Sequence, residues 1–102
     1  NDKEINEDFY LFLENFFQLH ENTLLKKSDD NSDQLTLKRP FFFSGESHAG
    51  HYIPSLMSYI HSKNNADATI LMPLSGAAIG NGWVDPYYQY SASEVAYGAG
   101  LI

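Results

Sequence analysis

Hydrophobic residues recur at helical spacing in two parts of the chain, near its start and again after residue 50. The first repeat predicts a helix with one broad apolar face, capped by Asn1 or Asp2. The members of that face are Ile5, Phe9, Phe12, Leu13, Phe16, Phe17 and His20. The second repeat predicts a helix closed by Asn64 and Asn65, in which Pro54 is tolerated only near the first turn. Its apolar face consists of Ile53, Leu56, Met57 and Ile60.

Two short apolar runs lie on either side of the second helix. Phe41–Phe43 is too short for a helix and predicts a buried strand of a parallel sheet, with Pro40 at its start. Ala77–Ile79 predicts a second strand, stopped by Gly80-Asn81-Gly82. A last helix is predicted through residues 92–96, ending near Gly98 or Gly100.

The predicted order is helix, strand, helix, strand, helix, which is typical of an α/β fold. Two apolar strands joined by a helix predict a right-handed parallel βαβ unit. Two parallel strands alone bury too little surface, so we expect the chain to be a segment of a larger sheet covered on both faces. The polar tract Lys26–Asp33 has no apolar period and predicts a flexible surface loop.

Composition narrows the possible partners. The formal net charge of −7 argues against binding to nucleic acid or to an anionic membrane surface. The longest apolar runs are far shorter than the ~20 residues that span a bilayer. The absence of cysteine excludes a disulfide framework within the chain.

Gly45-Glu46-Ser47-His48-Ala49-Gly50 joins the first predicted strand to the second predicted helix. A serine on a sharp strand-to-helix turn is typical of a nucleophile elbow, which needs small residues two positions before and after the serine. Gly45 and Ala49 meet that need, and Gly50 closes the turn. The turn exposes the serine oxygen and directs the N-terminus of the helix at the reacting carbonyl oxygen.

Gly45–Pro54 resembles the serine carboxypeptidase signature G-E-S-Y-A-G-H-Y-I/V-P and differs from it only at His48. Ala78–Pro86 resembles the I-G-N-G-x-x-D-P segment of the same family, and Asp8–Leu13 resembles the helix before the nucleophile strand. These matches come in family order and span nearly all 102 residues. Only Lys26–Lys38 looks like an insertion.

The resemblance implies that residues 1–102 are part of an α/β-hydrolase domain of the serine carboxypeptidase type. It implies that Ser47 is the nucleophile, that the His48 backbone N–H is an oxyanion-hole donor, and that Glu46 binds the substrate's C-terminal carboxylate. The triad Asp and His are expected beyond Ile102, and the second oxyanion donor before Asn1. The chain alone is therefore expected to be inactive without the rest of the domain. The family uses Tyr where this chain has His48, which affects the pocket before the scissile bond.

The implied substrate is a peptide, and neither a metal nor an organic cofactor is implied. The implied location is the secretory pathway, with the lysosome, the vacuole or the extracellular space as the destination. Two other functions fit the same residues: a carboxypeptidase-like acyltransferase, and a non-catalytic binding module that retains the fold.

Other residues invite alternative interpretations. His48 and His51 have the spacing of a zinc pair on a helix, but further ligands are missing because His20 and His61 lie on other segments. His51 is expected to have a packing or hydrogen-bonding role rather than to act as the general base, and His20 to sit on a helix rim. Asp85, directly before Pro86, predicts a turn or helix cap rather than a triad acid.

The tail after Gly82 is rich in aromatic residues. It could line a peptide cleft, but packing at a sheet edge is the preferred interpretation. The residues concerned are Trp83, Tyr87, Tyr88, Tyr90 and Tyr97.

Overall fold

The computed structural model describes residues 1–30 and 33–102. Helices and strands mix in this part of the chain, so the predicted α/β class is confirmed at that level. The elements in chain order are α1 (Asp2–Leu19), α2 (Glu21–Leu24), β1 (Leu25–Lys27), β2 (Leu35–Leu37), β3 (Phe41–Glu46), α3 (Ala49–Asn64), β4 (Ile70–Leu71), β5 (Leu74–Gly80), α4 (Pro86–Gln89) and α5 (Ala92–Gly98).

Helix α1 begins with the predicted cap at Asn1, whose side-chain oxygen accepts a hydrogen bond from the Glu4 N–H at 3.1 Å. Its buried stripe differs from the predicted apolar face, because it consists of Asn6, Tyr10, Leu13 and Phe17. Asn6 can be buried because its Nδ2 donates to Ser55 Oγ of α3 at 2.9 Å. Ile5, Phe9, Phe12 and Phe16 are 40–55% exposed.

The predicted parallel pair is confirmed: β3 and β5 pair in parallel, from Phe41 opposite Leu74 to Glu46 opposite Gly80. Helix α3 connects them, and its Ile53, Leu56 and Ile60 are buried as predicted. Pro54 lies in the second turn of α3 rather than near its first turn. Because proline has no N–H, the carbonyl oxygen of Gly50 lacks its usual helical donor.

The prediction of a loop over Lys26–Asp33 is wrong at its start, because Lys26 and Lys27 lie in β1. Asn31 and Ser32 of that tract lie outside the described residues. Strand β1 pairs antiparallel with β2, and β2 pairs in parallel with β4, with Leu35 opposite Ile70. Sequence reasoning missed β1, β2 and β4, because each is only two or three residues long.

The core lies between α1, α3 and the strands. Its buried members are Tyr10, Leu13, Phe17, Leu25, Leu56, Ile60, Ile70 and Met72. Helices α4 and α5 add no buried residue to it, although α5 confirms the predicted last helix. The radius of gyration is 18.4 Å, against about 13 Å for a compact chain of this length. In the part of the chain that is described, no helix is long and apolar enough to cross a membrane.

Candidate active site at the strand-to-helix turn

Ser47 occupies the turn between the end of β3 and the start of α3, with a φ of 59°. This left-handed conformation is uncommon for a residue with a side chain and costs of order 1 kcal/mol or more. Only Asn81 shares a positive φ among the non-glycine residues described, at 46°. The two strained residues therefore follow the carboxyl ends of two paired strands.

Gly45 and Ala49 lie against each other across the turn. A Cβ atom added at Gly45 would lie 2.5 Å from Ala49 Cβ and 3.1 Å from Ile53 Cδ1. No side chain fits at that separation without moving the helix or the strand. The small residues on either side of Ser47 thus allow α3 to begin directly over the end of β3.

Gly50 must also be small, because it contacts the backbone that follows β5. It is buried, and a Cβ atom there would lie 2.6 Å from the Trp83 backbone nitrogen and 2.9 Å from the Gly82 carbonyl carbon. The first turn of α3 therefore packs against the backbone that follows β5. Sequence reasoning treated Gly80-Asn81-Gly82 only as the end of a strand, although Asn and Gly are the residues that most readily adopt positive φ.

Backbone hydrogen bonds join the two turns. The Ser47 N–H donates to the Gly80 carbonyl oxygen at 3.0 Å, and the Trp83 N–H donates to the Ser47 carbonyl oxygen at 2.8 Å. The Gly50 N–H donates to the same Ser47 oxygen at 3.0 Å. Both backbone polar groups of Ser47 are thereby bonded, so the orientation of its backbone depends on the pairing of β3 with β5.

The backbone N–H of His48 has no hydrogen-bond partner within residues 1–30 and 33–102. His48 is the N-cap residue of α3, where the free N–H groups and the helix dipole create a positive potential. An oxygen that gains negative charge next to Ser47 would be stabilised by such a donor.

Glu46 is the last residue of β3 and is exposed. It lies opposite Gly80 in the strand pair, and a Cβ atom at Gly80 would lie 3.8 Å from Glu46 Cγ. Glu46 thus lies at the exposed end of β3, directly before Ser47.

A cleft of about 400 Å³ opens beside Ser47. Its other lining residues are His48, Asn81, Gly82, Trp83, Gln89 and Tyr90. The ring centroids of His48 and Trp83 are 5.1 Å apart, and those of Trp83 and Tyr90 are 5.9 Å apart, so three rings line the cleft in series. Sequence reasoning gave cleft lining as the less favoured interpretation of Trp83 and Tyr90, and it assigned no site role to Asn81.

Gln89 holds the loop that carries Trp83. Its Oε1 accepts from the N–H groups of Val84 at 2.7 Å and Asp85 at 2.9 Å, while its Nε2 donates to the Gly82 carbonyl oxygen at 2.8 Å. Asp85 caps α4 as predicted, accepting from the Tyr87 N–H at 3.1 Å. The sequence signal for Gln89 would have been a polar side chain within reach of a turn rich in unpaired N–H groups.

The aromatic tail does not pack at a sheet edge in this chain. Tyr87, Tyr88, Tyr90 and Tyr97 are 73–85% exposed, and only Tyr90 of these lines the cleft. Trp83 is half-buried beside it. Packing at a sheet edge is therefore not confirmed for these tyrosines in the described residues, and Trp83 and Tyr90 line the cleft beside Ser47.

The remaining histidines have local partners. His51 Nε2 lies 3.0 Å from Asp2 Oδ2 of α1, which gives it the expected hydrogen-bonding role. His20 is exposed at the end of α1 with its ring 4.7 Å from that of Phe16, and His61 Nε2 lies 3.1 Å from Asn65 Nδ2. Over the described ranges, no group of three or more potential metal ligands comes together.

Comparison with known proteins points to one family. The sequence profile described as "Serine carboxypeptidase" matches residues 1–102. A pheromone-processing carboxypeptidase of Phytophthora infestans is 40% identical over 103 residues, covering 100% of this chain and 17% of that protein. Serine carboxypeptidase S10 family member 1 of Dictyostelium discoideum is 45% identical over 100 residues, covering 97% of this chain and 20% of that protein.

Serine carboxypeptidase 3 of Oryza sativa is 41% identical over 88 residues, covering 86% of this chain and 15% of that protein. The chain thus spans 15–20% of the length of these three relatives. No solved structure matches the chain.

Proposed function

The chain belongs to the serine carboxypeptidase family, and on this premise we propose that it carries the nucleophile of a serine-type carboxypeptidase with an α/β-hydrolase fold. The complete protein hydrolyses C-terminal peptide bonds. The observation that carries the proposal is the left-handed Ser47, fixed between two parallel strands and a helix N-terminus and open to a cleft.

In the proposed reaction, Ser47 Oγ attacks the carbonyl carbon of the last peptide bond and gives its proton to a triad histidine. The carbonyl oxygen becomes negatively charged and accepts a hydrogen bond from the His48 N–H. The C–N bond then breaks, and the C-terminal residue leaves with the proton from the histidine. Water hydrolyses the resulting ester on Ser47 and restores the free serine.

Glu46 is the proposed contact for the C-terminal carboxylate of the peptide. In its protonated form the Glu46 carboxyl donates a hydrogen bond to that carboxylate, whereas in its ionised form it repels it. Its position at the end of β3, directly before Ser47, supports this role. Recognition of a free carboxylate next to the nucleophile is what restricts hydrolysis to the last residue.

The rest of the hydrolase domain is required for activity under this proposal. Residues 1–102 contain the nucleophile and one oxyanion donor, while the triad Asp and His and the second donor come from other parts of the protein. The 63% exposure of Phe42 on β3 supports a missing covering layer. We propose for the complete protein the location that the family resemblance implies. That location is the secretory pathway, with a lysosome, a vacuole or the extracellular space as the destination.

The test is covalent labelling of the complete protein with a fluorophosphonate, followed by mass spectrometry of the peptides. We expect the label on Ser47 and its loss in Ser47→Ala. Ser44 and Ser58 are exposed serines outside the turn and serve as internal controls. A label on either of them, with Ser47 unmodified, would remove the nucleophile assignment.

A separate test identifies the molecule that accepts the acyl group from Ser47, water or an alcohol. The complete protein is incubated with blocked dipeptides and with activated acyl esters. Release of the C-terminal amino acid supports the carboxypeptidase. Transfer of the acyl group to an alcohol without peptide hydrolysis would indicate an acyltransferase instead. Absence of both reactions and of labelling would indicate a binding module.

A further inference from the structure

The imidazole of His48 forms part of the wall of the Ser47 cleft. Its ring centroid lies 4.6 Å from that of Tyr52 and 5.1 Å from that of Trp83, so two larger rings hold it on one side of the opening. The residue is exposed, and within the described residues its ring nitrogens have no hydrogen-bond partner. A free polar group is therefore held directly beside the predicted nucleophile.

The other residues that line the cleft carry no charge near neutral pH. They are Ser47, Asn81, Gly82, Trp83, Gln89 and Tyr90. The Gln89 side chain is already bonded to the backbone of its own loop. No carboxylate is present in this lining, so His48 is its single titratable group in the physiological range.

The charged and titratable groups around His48 come from α3, α1, β3 and the end of α4. On α3 the neighbouring groups are His51, with ring centroids 5.5 Å apart, and Tyr52. Asp2 of α1 lies 3.0 Å from His51 and offsets its charge when it is protonated. Glu46 lies two residues before His48 on β3, and Tyr90 faces the cleft from the end of α4.

Glu46 and His48 lie on opposite sides of Ser47 in the chain. If the C-terminal residue of the substrate is next to Glu46, the residue that contributes the scissile carbonyl is next to His48. We propose that protonated His48 selects peptides in which this residue has a carboxylate side chain, aspartate or glutamate. The inference rests on the proposed function and specifies its substrate class.

The experiment compares two blocked dipeptides that differ only in the acyl-side residue, glutamate or glutamine, with the complete protein. The readout is the ratio of their kcat/KM values between about pH 5 and pH 8, across which histidine changes charge. The ratio cancels the pH dependence of the catalytic groups, which both substrates share. We expect it to fall by up to about fivefold as the pH rises, the upper end of what one exposed ion pair contributes.

Two variants test whether His48 causes the pH dependence of the ratio. His48→Tyr keeps an aromatic ring but cannot become positive, so its ratio should stay at the low value at every pH. His51→Gln removes the neighbouring histidine and should keep the pH-dependent ratio of the wild type. Should His48→Tyr fail to fold, His48→Gln provides the same comparison.

A ratio that does not change with pH in the wild type, while both dipeptides are hydrolysed, would overturn the inference and leave the proposed function intact. The same applies to a pH-dependent ratio that persists in His48→Tyr or disappears in His51→Gln. If neither dipeptide is hydrolysed and Ser47 is not labelled, the proposed function fails and the inference fails with it.

Discussion

The backbone N–H of Trp83 donates a hydrogen bond to the carbonyl oxygen of Ser47 over 2.8 Å. Together with the bond from the Ser47 N–H to Gly80, it fixes the serine from the chain that follows β5. The residue that we propose as the nucleophile is therefore held by its neighbouring strand as much as by its own helix. Substitutions in the turn after β5 should therefore change the position of Ser47.

The contact between Gly45 and Ala49 predicts that Gly45→Ala destabilises the protein. The new methyl group would have to displace Ala49 Cβ, which lies 2.5 Å away, and overpacking of this kind costs roughly 1–3 kcal/mol. Gly98→Ala is the matched control, because none of the described residues lies within 4 Å of its added Cβ. Gly98 is in a helix, so this control should be neutral or stabilise the protein by up to about 1 kcal/mol.

The measurement is the free energy of unfolding of the complete protein in urea. Equal free energies for Gly45→Ala and the wild type would show that the turn has room for a methyl group.

Removing the charge of Glu46 should change the binding of a peptide with a free C-terminus. Glu46→Gln keeps a hydrogen-bond donor and cannot carry the negative charge that repels the substrate carboxylate, so we expect a lower KM for such a peptide at neutral pH. The expected difference in KM is about tenfold, in line with a hydrogen bond to a charged group. A C-terminal amide of the same peptide lacks the carboxylate, and its KM should be the same in both proteins. Equal KM values for the free peptide in wild type and Glu46→Gln would exclude Glu46 as the carboxylate contact.

Residues 1–102 alone should have no peptidase activity. The proposed reaction needs a general base and a second oxyanion donor that we expect from other parts of the protein. The measurement is release of the C-terminal amino acid from a blocked dipeptide, with Ser47→Ala as the control for contaminating enzymes. Hydrolysis by residues 1–102 that disappears in Ser47→Ala would contradict the proposed division of the active site.

Ionisation of Tyr10 should lower the free energy of unfolding at alkaline pH. Burial, together with the nearby Glu14 carboxylate, raises the pKa of Tyr10 to about 12 from the ordinary value of 10.0. The folded state therefore favours the neutral phenol, so the Tyr10 contribution to stability is complete below pH 10.0 and is lost as the pH rises toward 12. Tyr10→Phe should remove part of the alkaline loss in urea unfolding.

Tyr97→Phe is the control for this measurement, since Tyr97 is 76% exposed. An alkaline loss of stability that is the same in Tyr10→Phe and in the wild type would show that another group is responsible.

The sequence predicts the elements whose signal is local and strongly apolar. Phe41–Phe43 and the face of Ile53, Leu56 and Ile60 are such cases, and the structure has β3 and α3 there. Strand β1 was missed because Lys26 and Lys27 dominate its composition. Strand β2 was missed although Leu35-Thr36-Leu37 alternates as a strand does, because three residues are too few to stand out. The pairing of β2 with β4 depends on residues far apart in the chain, which no local pattern indicates.

The same distinction applies to the site. Small residues around Ser47 are visible in the motif, because the turn geometry needs them at fixed positions. For Trp83 and Tyr90, packing was preferred over cleft lining, because the sequence does not show where the loop that carries these rings places them. Gln89 organises that loop through three hydrogen bonds to backbone groups four to seven residues earlier, a local signal that sequence reasoning did not use.

The parallel pairing of β2 with β4 also bears on the order of folding. Leu35 and Ile70 are separated in the chain by β3 and α3, whereas β1 and β2 are consecutive strands. Bringing together the ends of a longer loop costs more conformational entropy, which slows the formation of that contact. We therefore expect the pairing of β1 with β2 to form before the pairing of β2 with β4.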